Sequence, residues 1–208
     1  MNDHVREGRL QLRKKPQQER SIQRLEAILE AAIELFLEKG IAQTTMSEVA
    51  QRAGISIGSL YQFFPQKAAV IKALHDRFSA RLDGFIRQIF IGVKTLEEAA
   101  DRAADSLIEL HDIFRQERIY TTLWQAIVTD RDLGQISADY HEHVITCFYR
   151  DLSHLVPESD YQRFRVNLKL MILATGEVIR YATQQEEDVA RAHLDQWRRV
   201  TRVSLFAY

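Results

Sequence analysis

The chain has 208 residues, of which 46% are hydrophobic and 27% are charged. This balance is typical of a globular protein and excludes a wholly disordered one. The single cysteine, Cys147, excludes an internal disulfide and a zinc site built from several cysteines. The formal net charge of −1 excludes a nucleic-acid-binding protein that is basic throughout, but it is compatible with a local basic surface. No apolar run approaches the roughly 18 residues of a membrane-spanning helix.

The start of the chain is polar and rich in positive charge. Residues 1–24 contain seven Lys/Arg and three Asp/Glu, which gives this segment a net charge of +4. Most of the cations lie at Arg6, Arg9, Arg13, Lys14, Lys15 and Arg20. One interpretation is a solvated tail, and the other is an arm that contacts phosphates or a DNA groove. Both agree with the assignment of residues 1–20 to a flexible basic arm.

The spacing of prolines and apolar residues predicts an all-α protein. Residues 17–64 and 66–156 contain no proline, which costs about 3 kcal/mol inside a helix. Apolar residues recur in these stretches at three- and four-residue steps. The pattern predicts about nine helices, near residues 22–39, 46–52, 57–64, 66–90, 96–114, 117–129, 137–155, 160–183 and 186–208.

Capping residues mark several of these helix ends. Thr45 with Glu48 and Thr95 with Glu98 have the spacing of capping boxes. The other predicted boundary residues are Ser21, Ser56 and Ser159 as N-caps, Gly40 as a C-terminal glycine, and Asp132-Leu133-Gly134 as a turn.

Residues 45–64 have the pattern of a helix-turn-helix, in which two short helices meet at a sharp turn that requires a small residue. Gly54 lies at the turn. The second helix presents short or planar side chains on its outer face, and Gln62 can form two hydrogen bonds with adenine. Gly58 allows the helix backbone to approach DNA closely. The alternative interpretation is an ordinary corner between two helices.

A longer pattern surrounds this motif. It comprises Ile28-Leu29-Glu30-Ala31-Ala32-Ile33-Glu34-Leu35-Phe36, Gly40, Thr44-Thr45, Glu48-Val49-Ala50, Ala53-Gly54-Ile55-Ser56-Ile57-Gly58-Ser59-Leu60-Tyr61, Phe64 and Lys67. In order and spacing it resembles the N-terminal DNA-binding domain of the TetR family of transcriptional regulators. The resemblance implies a homodimer, in which each subunit has a three-helix DNA-binding head at residues 21–67 and a larger helical ligand-binding and dimerisation body at residues 68–208. It also implies a repressor that binds a palindromic operator in double-stranded DNA and is released by a small ligand.

The same resemblance implies which residues contact DNA: Thr45, Ser47, Ser56, Ile57, Gly58, Ser59, Tyr61, Gln62, Phe63 and Lys67. Tyr61 and Lys67 are expected to hold phosphates, and Phe63 stands where the family frequently has a histidine or tyrosine. Because the second helix carries no charge, we expect Lys67, Arg52, the basic arm and the helix N-termini to attract DNA.

The body carries many aromatic side chains together with a few polar ones. They indicate either plain core or a pocket for a small hydrophobic or aromatic effector. The candidate lining residues are Leu82, Phe85, Ile89, Leu107, His111, Phe114, Tyr120, Trp124, Tyr140, Phe148, Asn167 and Met171.

The last two helices have small residues at mid-helix, where a second helix can approach closely. The candidate dimer face comprises Thr175, Gly176, Ile179, Leu194, Trp197 and Thr201. A single-chain core would use these residues equally well, but a palindromic operator requires two-fold symmetry and so favours the dimer.

Two catalytic or metal-like strings have simpler explanations. His141-Glu142-His143 places its histidines on different faces of a helix, and the Gly-x-Ser-x-Gly string at residues 54–58 lacks the preceding strand of a hydrolase elbow. We therefore expect no metal, no cofactor and no enzymatic activity. The competing function is a helical protein-interaction module without DNA binding. The lack of an export signal and the need to reach DNA predict a cytoplasmic location without membrane attachment.

Overall fold

The computed structural model describes residues 19–207, with the backbone alone for Glu19, Arg131 and Asp132, so the basic arm at residues 1–18 lies outside the described part. Within that part the chain forms nine α-helices and no strand, which confirms the predicted all-α class. The helices are α1 (Glu19–Lys39), α2 (Met46–Arg52), α3 (Ile57–Phe63), α4 (Lys67–Ile89), α5 (Leu96–Gln116), α6 (Ile119–Thr129), α7 (Arg131–Leu152), α8 (Tyr161–Ala182) and α9 (Glu187–Ser204). Among the described helices, none is long and apolar enough to cross a bilayer.

The chain divides into two compact units. The first runs to Ser79 and also includes Arg118–Ile136, while the second comprises Ala80–Glu117 and the chain from Ser137 onward. This division differs from the expected boundary at residue 67, because α6 and the first half of α4 pack with the N-terminal helices. Leu74 of α4 and Leu123 and Ile127 of α6 are buried in the same apolar core as Ile28 and Phe36 of α1.

The predicted turn at Asp132-Leu133-Gly134 is wrong, because these residues form the first turn of α7. The Asp130 carboxylate accepts a hydrogen bond from the Leu133 N–H at 3.2 Å, and the Asp130 carbonyl accepts one from the Gly134 N–H at 2.8 Å. Leu133 is buried in the core of the first unit. Burial of one leucine and capping by Asp130 therefore outweigh the local preference for a turn.

Two predicted N-caps are also wrong. Ser21 lies inside α1, whose backbone is already helical at Glu19, so its hydroxyl does not cap a helix start. Ser159 lies in a short 3-10 turn, and α8 begins after it at Tyr161 without a side-chain cap.

The other predicted boundary residues are confirmed, with one shift. Gly40 ends α1 with a φ of +84°, and Thr45 with Glu48 forms a capping box. The Thr95 hydroxyl accepts the Glu98 N–H at 3.1 Å, but the Glu98 carboxylate accepts the N–H of Lys94 and not that of Thr95. The second box is therefore displaced by one residue.

In the second unit, α9 packs antiparallel to α5. Arg198 of α9 pairs with Asp105 of α5 at 2.5 Å, and Arg202 pairs with Asp101 at 2.5 Å. Arg115, near the end of α5, pairs with Glu187 at the start of α9. The two helices thus join along their length by exposed ion pairs, beside buried residues such as Leu194.

The capping box at α2 generates a stability prediction. Replacing Thr45 with alanine removes the acceptor for the Glu48 N–H, so Thr45→Ala should lower the free energy of unfolding by about 1 kcal/mol. Urea unfolding followed by circular dichroism measures this loss. Ser47→Ala is the matched control, because Ser47 is an exposed residue of the same helix and does not cap its start. An equal loss in both variants would contradict the assigned cap.

Candidate nucleic-acid interface

The start of α2 is held to the end of α1 by Glu48. The Glu48 carboxylate accepts hydrogen bonds from the Lys39 ammonium, from the Thr45 hydroxyl at 2.7 Å and from the Thr45 N–H at 2.8 Å. Lys39 and then Thr45 lower the pKa of Glu48 to about 2. The carboxylate therefore stays ionised at neutral pH and keeps the N-terminus of α2 in place.

A glycine turn and a serine cap set the direction of α3. Gly54 has a φ of +67°, a left-handed conformation that side chains with a Cβ rarely adopt. The Ile55 N–H then donates to the Ala50 carbonyl at 3.0 Å. The Ser56 hydroxyl accepts the Ser59 N–H at 3.2 Å and so caps α3. This is the predicted helix-turn-helix.

The two sides of α3 differ sharply in exposure. Leu60 and Phe64 are fully buried in the core of the first unit. The opposite side exposes Ser56, Ile57, Gly58, Tyr61 and Gln62, with Ser59 half-buried between the two sides. Tyr61 keeps 41% of its surface exposed although it is a large aromatic residue. The structure thus brings most of the predicted DNA-contacting residues onto one open face.

Phe63 is the exception among the residues predicted to face the groove. Its side chain is only 2% exposed and packs in the same core as Leu60. The helical period explains the correction, because residues 60, 63 and 64 share the inner side of α3. An apolar ring gains more from burial there than from exposure, so Phe63 supports α3 from inside.

Thr45 and Ser47, at the N-terminal end of α2, are both exposed. Their hydroxyls lie where unpaired N–H groups of a helix start also point outward. The Glu48 carboxylate and the Thr45 cap already satisfy part of this end. The phosphate contacts of Thr45 and Ser47 therefore stay predictions.

Lys67 has partners that the sequence did not indicate. Its ammonium donates to the carbonyl oxygens of Ile41 at 2.6 Å, Thr44 at 2.8 Å and Ala42 at 3.3 Å. Burial, and secondarily the charge of Lys39, lower the pKa of Lys67. Lys67 therefore holds the loop between α1 and α2 in this structure, and its contact with a phosphate stays a prediction.

Arg52 is likewise engaged within the protein. Its guanidinium pairs with Glu34 and Glu38 of α1, each at 2.9 Å. These carboxylates offset its charge in this structure, and the attraction of DNA by Arg52 stays a prediction. The arginine ties the end of α2 to α1.

A row of glutamates on α1 explains this pairing. Glu26, Glu30, Glu34 and Glu38 follow one another at four-residue steps and so share one face of the helix. Arg77 of α4 pairs with the first two, at 3.1 Å and 2.9 Å, as Arg52 does with the last two. The spacing of the four glutamates is visible in the sequence. Their partners, Arg52 and Arg77, lie on α2 and α4, which only folding brings next to α1.

The residues predicted to line a pocket divide between the two units. Tyr120 and Trp124 belong to the first, where Tyr120 stacks on Phe78 with ring centroids 3.8 Å apart. Burial raises the pKa of Tyr120. The other predicted lining residues belong to the second unit: Leu82, Phe85, Ile89, Leu107, His111, Phe114, Tyr140, Phe148, Asn167 and Met171.

Within the second unit these residues form smaller groups. Ile89, Phe148 and Met171 pack against one apolar core, whereas Leu107, His111 and Phe114 are buried along one side of α5. Two polar candidates have partners, because the Tyr140 hydroxyl donates to Asp83 at 3.1 Å and the Asn167 amide donates to the carbonyls of Ser204 and Leu205, each at 2.7 Å. Asn167 thus secures the end of α9, and the Asp83 partner of Tyr140 was not indicated by the sequence.

Three residues of the predicted dimer face are buried inside the protomer, which corrects that part of the prediction. Ile179, Leu194 and Thr201 are buried within a single protomer, so they have no surface to offer to a partner. The Trp197 indole N–H donates to the Thr175 hydroxyl at 3.0 Å in the same chain. These residues join α8 and α9 inside the protomer.

A different row of residues on α8 is exposed. Val166, Leu170, Leu173 and Tyr181 recur at helical spacing and keep between 38% and 58% of their surface accessible. Gly176 lies along this row, three residues after Leu173. A Cβ added to Gly176 would meet no heavy atom within 4 Å, so the backbone is open at this point.

The histidine string on α7 enters ordinary surface contacts. Glu142 pairs with Lys169, and His143 Nε2 lies 3.3 Å from an Asp83 carboxylate oxygen. Between residues 19 and 207, no group of three or more His, Cys, Asp or Glu is arranged to hold a metal ion.

Two family models match the chain in succession. One described as "Bacterial regulatory proteins, tetR family" matches residues 28–74, and one described as "Tetracyclin repressor-like, C-terminal domain" matches residues 94–208. The regulator TtgR of Pseudomonas putida is 37% identical over 60 residues, which are 29% of each chain. The repressor KstR2 of Rhodococcus jostii is 29% identical over 118 residues, covering 57% of this chain and 50% of KstR2. The matched part therefore spans half or less of these two relatives.

A solved structure shows the same fold over nearly the whole chain. GusR of Salmonella enterica superimposes with a TM-score of 0.68 at 17% identity, covering 92% of this chain and 99% of GusR. The first family model covers the helix-turn-helix, and the second covers more than half of the chain. The protein therefore belongs to the tetR family of bacterial regulatory proteins.

Proposed function

We propose that the protein is a repressor that binds a palindromic operator as a homodimer and is released by a small hydrophobic or aromatic effector. The observation that carries the proposal is the open face of α3. Its inner side is fully occupied by the core, while its outer side exposes a glycine, short hydroxyl residues, Tyr61 and Gln62. None of the side chains exposed on α3 is acidic, so nothing on that face repels a phosphate backbone.

The exposed groups divide into two tasks on DNA. The Ser47 hydroxyl at the start of α2 and the Tyr61 hydroxyl suit phosphate oxygens, which position the protein without reading sequence. Gln62 is the side chain of this face that can read a base edge with two hydrogen bonds. Gly58 lets the backbone of α3 approach the groove.

Gln62 provides the test of DNA reading. Selection from a random-sequence duplex library should enrich a palindrome with the wild-type chain. Gln62→Ala should lose discrimination at one or two base pairs of each half-site, at about 1–3 kcal/mol for the preferred base. Gln23→Ala, at an exposed glutamine of α1, should leave the preference unchanged. Failure of the wild type to enrich any duplex would favour a protein-interaction module instead.

The basic arm is proposed to supply the nonspecific attraction. Several cations of the first unit have internal partners, because Lys39 and Arg52 pair with glutamates and Lys67 binds backbone carbonyls. The outer face of α3 carries no charge. We therefore propose that the positive charge of residues 1–20 contacts phosphates.

Deleting residues 2–15 should make operator binding less dependent on salt. The slope of log affinity against log salt should become shallower by about 0.9 for each phosphate that the protein no longer neutralises. Fluorescence anisotropy with a labelled operator, measured from low to high salt, gives the slope. Replacing Arg6, Arg9, Arg13, Lys14 and Lys15 by glutamine in the full chain should reproduce the effect. An unchanged slope in both variants would mean that the arm does not contact DNA.

The exposed row on α8 supports a dimer formed through that helix. Four large apolar side chains in one row are costly to leave in water, and such patches mark interaction surfaces. A second copy related by two-fold symmetry presents the same row, so each copy covers the other. The open backbone at Gly176 allows two helices to approach closely there.

Gly176→Arg should give monomers that bind the operator poorly. A Cβ at position 176 meets no heavy atom of the protomer within 4 Å, so the arginine should project outward, obstruct the partner and leave the fold intact. Sedimentation and operator titration measure both effects. Gly84→Arg is the matched control, because Gly84 is also a helical glycine whose added Cβ meets no heavy atom within 4 Å. If Gly176→Arg sediments as a dimer, the α8 row is not the interface.

Release by an effector is proposed to act through α4. This helix is continuous from Lys67 to Ile89, so it leads from the first unit into the second. Lys67 at one end holds the α1–α2 loop, and Asp83 near the other end binds Tyr140 of α7. A ligand against Leu82, Phe85 and Ile89 that tilts α4 would change the distance between the two α3 helices of the dimer. Dimeric DNA-binding proteins of this kind require half-sites about 34–36 Å apart, or a multiple of that distance. The free energy that couples ligand binding to DNA binding is typically about 1–3 kcal/mol.

A bound ligand that leaves operator affinity unaltered would reject this mechanism.

A further inference from the structure

A ring nitrogen of the second unit is buried without a partner among the described residues. His111, on α5, is only 3% exposed, and no atom of the described residues forms a hydrogen bond with its Nε2. The residues on the same side of the helix, Ala104, Leu107 and Phe114, are buried and apolar. Buried polar atoms almost always have a partner, so each exception calls for an explanation. A leucine at position 111 would continue this apolar side without any unsatisfied atom.

The surroundings of the other ring nitrogen, Nδ1, indicate whether Nε2 donates or accepts a hydrogen bond. Nδ1 of His111 lies 3.5 Å from a carboxylate oxygen of Asp112. A carboxylate beside one ring nitrogen favours the tautomer that carries its proton there. We assign this tautomer to His111, in which Nε2 has a lone pair and no proton and so accepts a hydrogen bond.

Two other buried atoms lack partners in the described chain, but both belong to α9. Arg198 leaves Nε unsatisfied while its Nη2 binds Asp105, and Thr201 leaves its hydroxyl oxygen unsatisfied. Arg198 and Thr201 lie one helical turn apart, where one water molecule can serve groups of this kind. His111 lies on a different helix, in an apolar row.

We propose that Nε2 of His111 accepts a hydrogen bond from the effector, and that the effector is a small apolar molecule with a hydroxyl group, of the phenol type. This inference rests on the proposed effector function and names the chemistry of its ligand. The apolar side of α5 suits an aromatic body, and the buried acceptor requires a donor. A carboxylate has no proton to donate, so fatty or aromatic acids do not match this site.

A site that hydrogen-bonds a hydroxyl group discriminates against an analogue without it, because the analogue leaves the buried acceptor unpaired. A phenol should therefore bind much more tightly than its methyl ether, which has the same ring but no donor. The expected difference is about 10-fold to 100-fold in affinity.

The test uses the full chain and a panel of one-ring to three-ring phenols, each with its methyl ether and the matching carboxylic acid. Binding is measured by calorimetry and thermal shift, and release by operator titration. At least one phenol should bind, release the operator and exceed its methyl ether by about 10-fold or more. His111→Phe keeps the ring volume but removes Nε2, so it should abolish that preference without loss of thermal stability.

Two further variants make the result specific. His111→Gln retains an acceptor on its side-chain amide and should keep part of the preference for the phenol, and it also serves if the phenylalanine variant does not fold. His154→Phe, at an exposed histidine of the second unit, should behave as the wild type.

The outcomes separate this inference from the proposed function. If acids or methyl ethers release the operator as well as phenols do, the effector function stands and the role of His111 is overturned. The role is also overturned if no phenol binds. If His111→Phe binds phenols unchanged and loses stability, the partner of Nε2 is a water molecule. If phenols bind through His111 but leave operator affinity unaltered, the regulatory function fails while the binding site stands.

Discussion

The burial of Leu60, Phe63 and Phe64 is the constraint on which the exposed side of α3 depends. These three side chains fill the core between α3 and its neighbours, so α3 has one possible rotation about its axis. That rotation places Ser56, Gly58, Tyr61 and Gln62 outside. The uncharged outer face is thus a consequence of packing, and the turn at Gly54 sets the angle at which α3 leaves α2.

Much of the charge in the first unit serves its own structure. Arg52 and Arg77 each bind two glutamates of the row on α1, and Lys67 holds the loop that follows this helix. Four glutamates at i, i+4 spacing would repel one another on an isolated helix, so their arginine partners are needed where the helices meet. Arg52 and Lys67, which the sequence alone assigned to DNA, therefore also help to position the helix-turn-helix.

The apolar residues of the second unit are also used mostly within the protomer. Packing of α9 on α5 and α8 buries Leu194 and Ile179, and exposed ion pairs such as Arg198–Asp105 flank this contact. The outer row of α8 around Leu170 remains available for a second copy. His111 is the exception in the buried row of α5, because its Nε2 has no hydrogen-bond partner among the residues that the structure describes.

The all-α class, the helix-turn-helix, the caps at Thr45 and Ser56, and the glycine turns could all be predicted from the sequence, because each depends on residues within a few positions of one another. Packing between distant segments was needed to show that Phe63 points inward, that Lys67 and Arg52 bind within the protein, and that residues 132–134 are helical. The exposed row of α8 belongs with these findings, since an apolar stripe looks the same whether it faces its own chain or a partner. Periodicity gives the faces of a helix, but the neighbour that covers each face is set by contacts between residues far apart in the chain.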